Sequence, residues 1–216
     1  MSSFDPDLEL LQRLRAETSA RPPLTRAQRR LRAAGVAAAV LGMMSLAFLA
    51  LGGAHLEGRP LHYIAGAAAG WLVCALVSTA LLARRPHEGP RPRVAWAALV
   101  LPLLLFAWML GLNFAYPETF ASCTGRPGFA CMDLNITIGG AVVLAFALLK
   151  RDGVVIHRLA FGAGLGAAAG LWSGLIVSLS CECTNPSHIA LGHVLPVVLL
   201  SAAGALLTFG WVDRRR

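Results

Sequence analysis

The sequence is poor in charge. Charged residues make up only 14% of its 216 residues, against about 25% in soluble domains. Of the 19 basic residues all but Lys150 are arginine, and the net charge is +8. Hydrophobic residues reach 56%, and the mean hydropathy is +0.64. This composition excludes a disordered chain, a collagen and an ordinary water-soluble enzyme, and it favours a polytopic membrane protein.

The familiar patterns of catalysis and of nucleic-acid recognition are also missing. The sequence contains no phosphate-binding loop, no nucleotide motif and no nucleophile–base constellation. Its basic residues lie next to apolar stretches and are not interleaved with aromatic residues, as a nucleic-acid surface would be. We therefore predict neither an enzyme nor a protein that binds nucleic acid directly.

Six apolar stretches of 20 to 24 residues divide the chain. A helix rises about 1.5 Å per residue, so about 20 residues cross a hydrocarbon core of about 30 Å. Short connections join the stretches, which predicts an all-α membrane protein of three helical hairpins surrounded by lipid. The predicted spans are 33–54, 61–83, 94–116, 130–149, 159–180 and 189–212.

Basic residues lie almost entirely on one side of these spans. The N-terminal segment, the second and fourth loops and the tail hold 17 of them, whereas the opposite side holds only Arg59 and Arg126. The positive-inside rule then places both termini in the cytoplasm. The chain divides into a cytoplasmic head (1–32), a bundle (33–212) and a basic tail (213–216). The first apolar stretch begins too late for a cleavable signal peptide.

The head has the pattern of a short amphipathic helix. Leu8, Leu11 and Leu14 fall on one face after an Asp-Pro helix start. This face could bind a partner protein, lie on the bilayer surface or have no partner. Further along, Thr25 and Gln28 have the spacing of a capping box, which predicts a second helix leading into the first span.

Small residues recur at intervals of four in two of the spans. The fifth span carries Gly162, Gly166 and Gly170, and the second carries Gly66 and Gly70. This spacing lets helices approach closely. It predicts packing within one bundle or, as the alternative, a dimer interface; the oligomeric state is left open.

Cysteine and histidine collect on the side opposite the cytoplasm, whereas Cys74 falls inside the second span as a small core residue. That compartment is oxidising, so the cysteines could form disulfides. Thiolates with imidazoles also suit a thiophilic metal ion, so a redox or metal-sensing site is a second alternative. The third alternative is that these residues are unpaired and serve only in packing. The residues are Cys123, Cys131, Cys181, Cys183, His55, His62, His188 and His193.

The whole pattern resembles the NrsF-like family of bacterial membrane anti-sigma factors. The resemblance rests on six spans, a Leu/Arg head, Cys131 at the start of span four, Cys181 at the end of span five, and the motif 193–196. It implies an inner-membrane protein that holds an extracytoplasmic-function sigma factor and releases it under stress. The cysteines on the outer side make an envelope redox or heavy-metal signal the expected stimulus.

The resemblance also implies roles for particular residues. Cys131 and Cys181 would be the sensing pair, through a disulfide or a bound metal ion, and His193 would be a further ligand. His193 and Pro196 would form the motif of span six. Cys123, Cys183 and His188 are additional candidates. The sigma-binding residues would be Leu8, Leu11, Leu14 and Arg15. Gly192 departs from the family, which often has an aromatic residue before the histidine, and Cys123 and Cys183 are extra thiols.

Two other functions are compatible with parts of the pattern. A membrane thiol–disulfide oxidoreductase would also place cysteines on the outer side, but such enzymes normally carry Cys-x-x-Cys, and this chain has Cys-x-Cys at Cys181 and Cys183. A small metal or solute transporter needs polar groups near the bilayer midplane, and the spans have very few there.

Overall fold

The computed structural model describes residues 25–54, 59–83, 92–117, 128–149 and 158–213. Within these ranges all the regular secondary structure is helical. The helices are α1 (Arg26–Ala50), α2 (Leu61–Ala83), α3 (Pro92–Ala115), α4 (Phe129–Leu149), α5 (Arg158–Ser180), and a last stretch made of α6 (Pro186–Ile189), a π turn (Ala190–Val194) and α7 (Leu195–Asp213).

The all-helical prediction is confirmed, and five of the predicted spans have helices that are long and apolar enough to cross a membrane. They correspond to α2, α3, α4, α5 and the stretch from Pro186 to Thr208. In α1 only Ala38–Ala50 stands out among the described residues, as a shorter apolar helix. The predicted first span, the total of six spans and the orientation in the membrane therefore stay predictions.

The predicted first span, 33–54, extends too far, because α1 ends at Ala50. Gly52 and Gly53 follow with φ of 84° and 77°. The Gly53 N–H donates to the Phe48 carbonyl and the Gly52 N–H to the Leu49 carbonyl. This pair of bonds is a Schellman motif, which requires a left-handed residue and ends the helix.

The chain divides into two units between Ala39 and Val40. In the first unit the described residues begin with the start of α1. The Thr25 N–H donates to Gln28 Oε1 at 3.0 Å, and the Gln28 N–H donates to Thr25 Oγ1 at 3.2 Å. These reciprocal bonds form the predicted capping box.

In the second unit α5 is the central helix and packs against α2, α3, α4 and α7. Its contact with α7 is the most extensive. Gly162, Gly166 and Gly170 lie so close to α7 that a Cβ atom at any of them would meet the backbone of that helix. The predicted packing of the small-residue stripe within the bundle is thus confirmed.

A continuous hydrophobic core fills the space between α2, α3, α5 and the last helical stretch. Its largest members, Trp71, Tyr63, Leu105, Leu171 and Val197, are almost completely buried. Trp71 covers Gly174 of α5, where any side chain would collide with the indole ring. Cys74 is buried in this core, in agreement with its prediction as a packing residue.

Candidate functional site

The site lies where α4 begins, where α5 ends and where the π turn passes between them. Cys131 belongs to the first turn of α4, three residues after Gly128. A Cβ atom at Gly128 would lie 2.8 Å from the Gly192 nitrogen, and one at Gly192 would lie 3.1 Å from Cys131 Cβ. Two glycines therefore let α4 and the π turn meet closely, and Gly192 occupies a position where an aromatic side chain does not fit.

Cys181 is the first residue after α5, and Arg59 holds the end of that helix. The Arg59 guanidinium donates to the Ser178 carbonyl at 3.5 Å and to the Leu179 carbonyl at 3.1 Å. The last carbonyls of a helix lack partners within it, and a cation there also complements the helix dipole. Arg59 therefore positions the segment that carries Cys181.

The loop from Cys181 to Asn185 is fixed at both ends. Asn113 at the end of α3 donates to the Thr184 carbonyl at 2.9 Å, and both residues are buried. Asn185 caps α6, since its side-chain oxygen accepts from the Ser187 N–H at 2.9 Å, and Pro186 begins the helix. The short helix α6 then presents His188.

The π turn brings His188 and His193 to the same side of the chain. In an α-helix five residues turn by about 500°, which leaves their side chains about 140° apart. A π turn has i→i+5 hydrogen bonds, here from the Leu195 N–H to the Ala190 carbonyl, and it reduces this angle. Pro196 follows, and because it lacks an N–H it cannot continue the α pattern to Gly192. The two imidazole rings lie 5.5 Å apart.

Cys131, Cys181, His188 and His193 form one cluster, which we name the thiol–imidazole cluster. The two Sγ atoms lie 3.5 Å apart as free thiols, and Cys181 Sγ lies 3.2 Å from His188 Nε2. His193 also hydrogen-bonds to Cys181. One ligand atom from each residue lies within 4.8 Å of the other three. Both histidines are buried, and both cysteines are partly buried.

Hydrogen bonds favour the thiolate form of Cys181. The bond from Cys131 lowers the pKa of the Cys181 thiol, and bonds from His188 and His193 lower it further, whereas burial acts in the opposite direction. The backbone N–H of Cys183 also donates to Cys181 Sγ at 3.4 Å. Thiolate is the form of cysteine that attacks disulfides and binds metals.

A buried polar connection lies directly below the cluster. Asn135, one turn after Cys131 on α4, donates to the His193 carbonyl at 3.3 Å. Its side-chain oxygen accepts a short hydrogen bond from the Ser173 hydroxyl of α5. Trp71 packs against the His193 ring edge-on at 6.4 Å. These contacts hold the backbone of the π turn against α4 and α5.

The structure brings together some of the predicted site residues and leaves others apart. Cys131, Cys181 and His193 share one cluster, and His188 joins them. Cys183 is disulfide-bonded and is not among the four. His62 is exposed on α2. Cys123, His55 and the predicted partner-binding residues of the head, Leu8, Leu11, Leu14 and Arg15, lie outside the described residues.

Sequence reasoning missed three residues that organise the site, namely Arg59, Asn135 and Ser173. Asn135 gave a usable signal, since it is a polar residue in an apolar span, four residues after a cysteine and so on the same helix face. Arg59 was read only as a topology signal. Nothing in the sequence pairs Ser173 with Asn135, because that contact depends on how α4 and α5 pack.

The fold and the cluster together are compatible with a helical membrane protein that carries a reactive thiol site at one end of its bundle. Five apolar helices of sufficient length are compatible with a multi-pass membrane protein. Two free thiols and two imidazoles at one end of the bundle can form a disulfide or bind a soft cation, and both changes would connect α4, α5 and the π turn.

The chain belongs to the family of negative regulators of sigma F, whose family model matches residues 14–211. The match covers most of the chain and confirms the resemblance found in the sequence. The family description indicates a regulator of a sigma factor, and so a non-enzymatic role. Comparisons with curated proteins and with solved structures gave no match.

Proposed function

We propose that this protein is an anti-sigma factor of the bacterial inner membrane. It holds an extracytoplasmic-function sigma factor through its N-terminal head and keeps both termini in the cytoplasm. It releases the sigma factor when an envelope redox or heavy-metal signal reaches Cys131 and Cys181. The observation that carries the proposal is the family match over residues 14–211.

The thiol pair supports the sensing part of the proposal. Cys131 and Cys181 are 50 residues apart in sequence, yet their sulfurs lie 3.5 Å from each other. A disulfide requires about 2.05 Å and a shared metal ion about 3.8 Å between the sulfurs. Small movements of α4 and of the segment after α5 therefore suffice for either bond.

A change in bonding at these sulfurs can act on the rest of the bundle. Cys131 begins α4, Cys181 follows α5, and the π turn lies against both. A signal shifts a two-state equilibrium only by its difference in binding free energy between the states. A new sulfur–sulfur or sulfur–metal bond favours the state in which the three elements are drawn together, and the head then loses its affinity for the sigma factor.

The partner is tested by co-purification from resting cells. Tagged full-length protein is solubilised gently, and the proteins bound to it are identified by mass spectrometry. The control lacks residues 1–24. We expect a sigma factor with the full chain and none with the control. Absence of any sigma factor from the full-length sample contradicts the proposal.

The sensing residues are tested with a reporter at the target promoter. Cys131→Ser and Cys181→Ser should abolish the response to stress while the protein still accumulates in the membrane. Cys74→Ala is the matched control, because Cys74 is a free thiol buried away from the cluster. A normal response in both serine variants would show that the signal acts elsewhere.

The thiol pair also favours one rival function, a membrane thiol–disulfide oxidoreductase. Cys181 has the features of an attacking thiolate, and Cys131 is close enough to resolve a mixed disulfide. With Cys131→Ser, such an enzyme would accumulate a mixed disulfide between Cys181 and a soluble thiol protein. Our proposal expects no such species and instead a captured sigma factor.

A further inference from the structure

The geometry points to a four-coordinate site for one thiophilic divalent cation, with the Sγ atoms of Cys131 and Cys181 and one ring nitrogen each of His188 and His193 as ligands. As a sensor this site rests on the proposed function, which it deepens by naming the chemical class of the signal. As a metal-binding site the cluster is supported by the distances and donor atoms described below. The proposal also assigns His188 as a ligand.

The spacing of the ligand atoms fits a tetrahedral ion. With metal–sulfur distances of about 2.3 Å, two sulfurs on one tetrahedral ion lie about 3.8 Å apart. The observed separation is 3.5 Å, and the sulfur of Cys181 lies 3.2 Å from His188 Nε2. Because all four ligand atoms lie within 4.8 Å of one another, small side-chain movements complete the site.

The donor set selects the class of ion. Two sulfurs and two imidazoles are soft or borderline ligands, which suit Zn²⁺ or Cd²⁺ and not Mg²⁺ or Ca²⁺. The neighbouring acids, Asp133 and Glu182, are exposed and do not belong to the cluster. Cys183 is disulfide-bonded and offers no thiolate. Four protein ligands also leave no open position, which is typical of structural or regulatory sites and not of catalytic ones.

Charge balance favours a divalent ion in this partly buried place. When M²⁺ binds, two M–S bonds form and the S–H bond of Cys131 breaks. The proton of Cys131, and any proton that Cys181 shares with the histidines, pass to water, with no change of oxidation state. The resulting complex of two thiolates, two neutral imidazoles and M²⁺ has no net charge. A neutral complex avoids the large free-energy penalty of an unpaired charge away from water.

The hydrogen bonds of His193 identify the ring nitrogen that faces the cluster. Nδ1 of His193 is buried and has no hydrogen-bond partner among the described residues, and the residue is only 3% exposed. The ring nitrogen of His193 that hydrogen-bonds to Cys181 is therefore Nε2, and this nitrogen is the one that can give its lone pair to a cation in the cluster.

The test uses the full-length protein, purified in detergent with reduced thiols. Zn²⁺ bound per chain is counted by elemental analysis, and Co²⁺ replaces Zn²⁺ as a spectroscopic probe. We expect one ion per chain, release of at least one proton per ion, and a Co²⁺ spectrum with thiolate charge-transfer bands and intense tetrahedral d–d bands.

Variants identify the ligands. Cys131→Ser, Cys181→Ser, His188→Gln and His193→Gln should each weaken binding by about 100-fold and change the Co²⁺ spectrum, because each removes one of four ligands. His62→Gln and Cys74→Ala are the matched controls, and both should bind as the wild type does. Helical circular dichroism of every variant verifies that the bundle is folded.

The inference is overturned if folded, reduced wild-type protein binds less than a tenth of an ion per chain. It is also overturned if His188→Gln and His193→Gln keep both the affinity and the spectrum. The sigma-factor co-purification is run in parallel on the same samples. A protein that captures the sigma factor but binds no metal removes this inference alone. A protein that binds the metal but captures no sigma factor retains the site and contradicts the proposed function.

Discussion

The contact between α5 and α7 and the thiol–imidazole cluster are built in opposite ways. Along α5, glycines remove side chains so that two backbones touch, and the Thr208 hydroxyl of α7 donates to the Arg158 carbonyl at one end of the contact. At the cluster, three segments meet through side-chain hydrogen bonds, a capped loop and a π turn. The first region gains stability from close packing, whereas the second holds reactive groups in place.

The α5–α7 contact is therefore the rigid region of the bundle, and the thiol–imidazole cluster is the region whose bonding can change. The α5–α7 contact has no alternative arrangement at the same distance, because any shift opens a gap or creates a collision. The cluster can change its bonding at two sulfurs while the contacts below it persist. The predictions below test this division, from the largest expected effect to the smallest.

The largest effect should come from Gly166 of α5. In Gly166→Leu the new side chain would overlap the backbone of Leu200 in α7. We expect a loss of more than about 3 kcal/mol in the free energy of unfolding, since a backbone cannot move aside as a side chain can. Thermal unfolding in detergent measures it. Gly140→Ala is the control, because nothing lies near Gly140, and it should unfold like the wild type or at slightly higher temperature.

Asn135→Leu should destabilise the protein by about 1–3 kcal/mol. The change removes the hydrogen bonds of Asn135 to the His193 carbonyl and to the Ser173 hydroxyl, although Ser173 keeps its bond to the Gly170 carbonyl. Ser201→Ala is the matched control, since the Ser201 hydroxyl is also buried but bonds only to Val197 of its own helix. Equal unfolding temperatures for the two variants would argue against Asn135 as the support of the π turn.

Gly192→Ala should affect the cluster more than the stability. Its Cβ atom would lie 3.1 Å from Cys131 Cβ and 3.0 Å from the Gly128 carbonyl oxygen, so Cys131 has to move by a few tenths of an ångström. We expect Co²⁺ affinity to fall by about tenfold, which is typical when a residue that positions a metal ligand is changed. The free energy of unfolding should fall by less than about 1 kcal/mol. An unchanged Co²⁺ affinity together with a lower unfolding temperature would show that Gly192 serves the stability of the bundle and not the geometry of the cluster.

Arg59→Lys should have the smallest effect. Lysine keeps the charge at the end of α5 but loses the planar fork that reaches both the Ser178 and Leu179 carbonyls. We expect a loss of about 0.5–1 kcal/mol in thermal unfolding. Arg59→Gln, which also removes the charge, should lose more. A larger loss in the lysine variant would contradict a role for the charge.

The helices themselves were predictable because their signal is long and repetitive. The span at 61–83 agrees with α2, and the stripe from Gly162 to Gly170 packs as its spacing indicated. The end of α1 was predicted four residues too late, since hydropathy continues through Gly52 and Gly53 although their φ values do not suit a helix.

The site was predictable only in its composition. Cys131, Cys181 and His193 were identified from the sequence, but His188 stood only as a further candidate. His188 joins the cluster because the π turn rotates the following residues relative to an α-helix. The α-helical periodicity used to read the sequence does not include this rotation. Asn135 could have been noticed as a polar residue in an apolar span, but its partners, like those of Arg59, depend on tertiary packing.

The central claim is that an ion bound at the thiol–imidazole cluster weakens the hold on the sigma factor. The most direct measurement is the affinity of the purified full-length protein for its co-purified sigma factor, with and without saturating Zn²⁺ or Cd²⁺. The account predicts at least tenfold weaker binding with the metal, equivalent to about 1.4 kcal/mol, and no change in Cys131→Ser. Equal affinity in both conditions, with the ion demonstrably bound to the cluster, would contradict it.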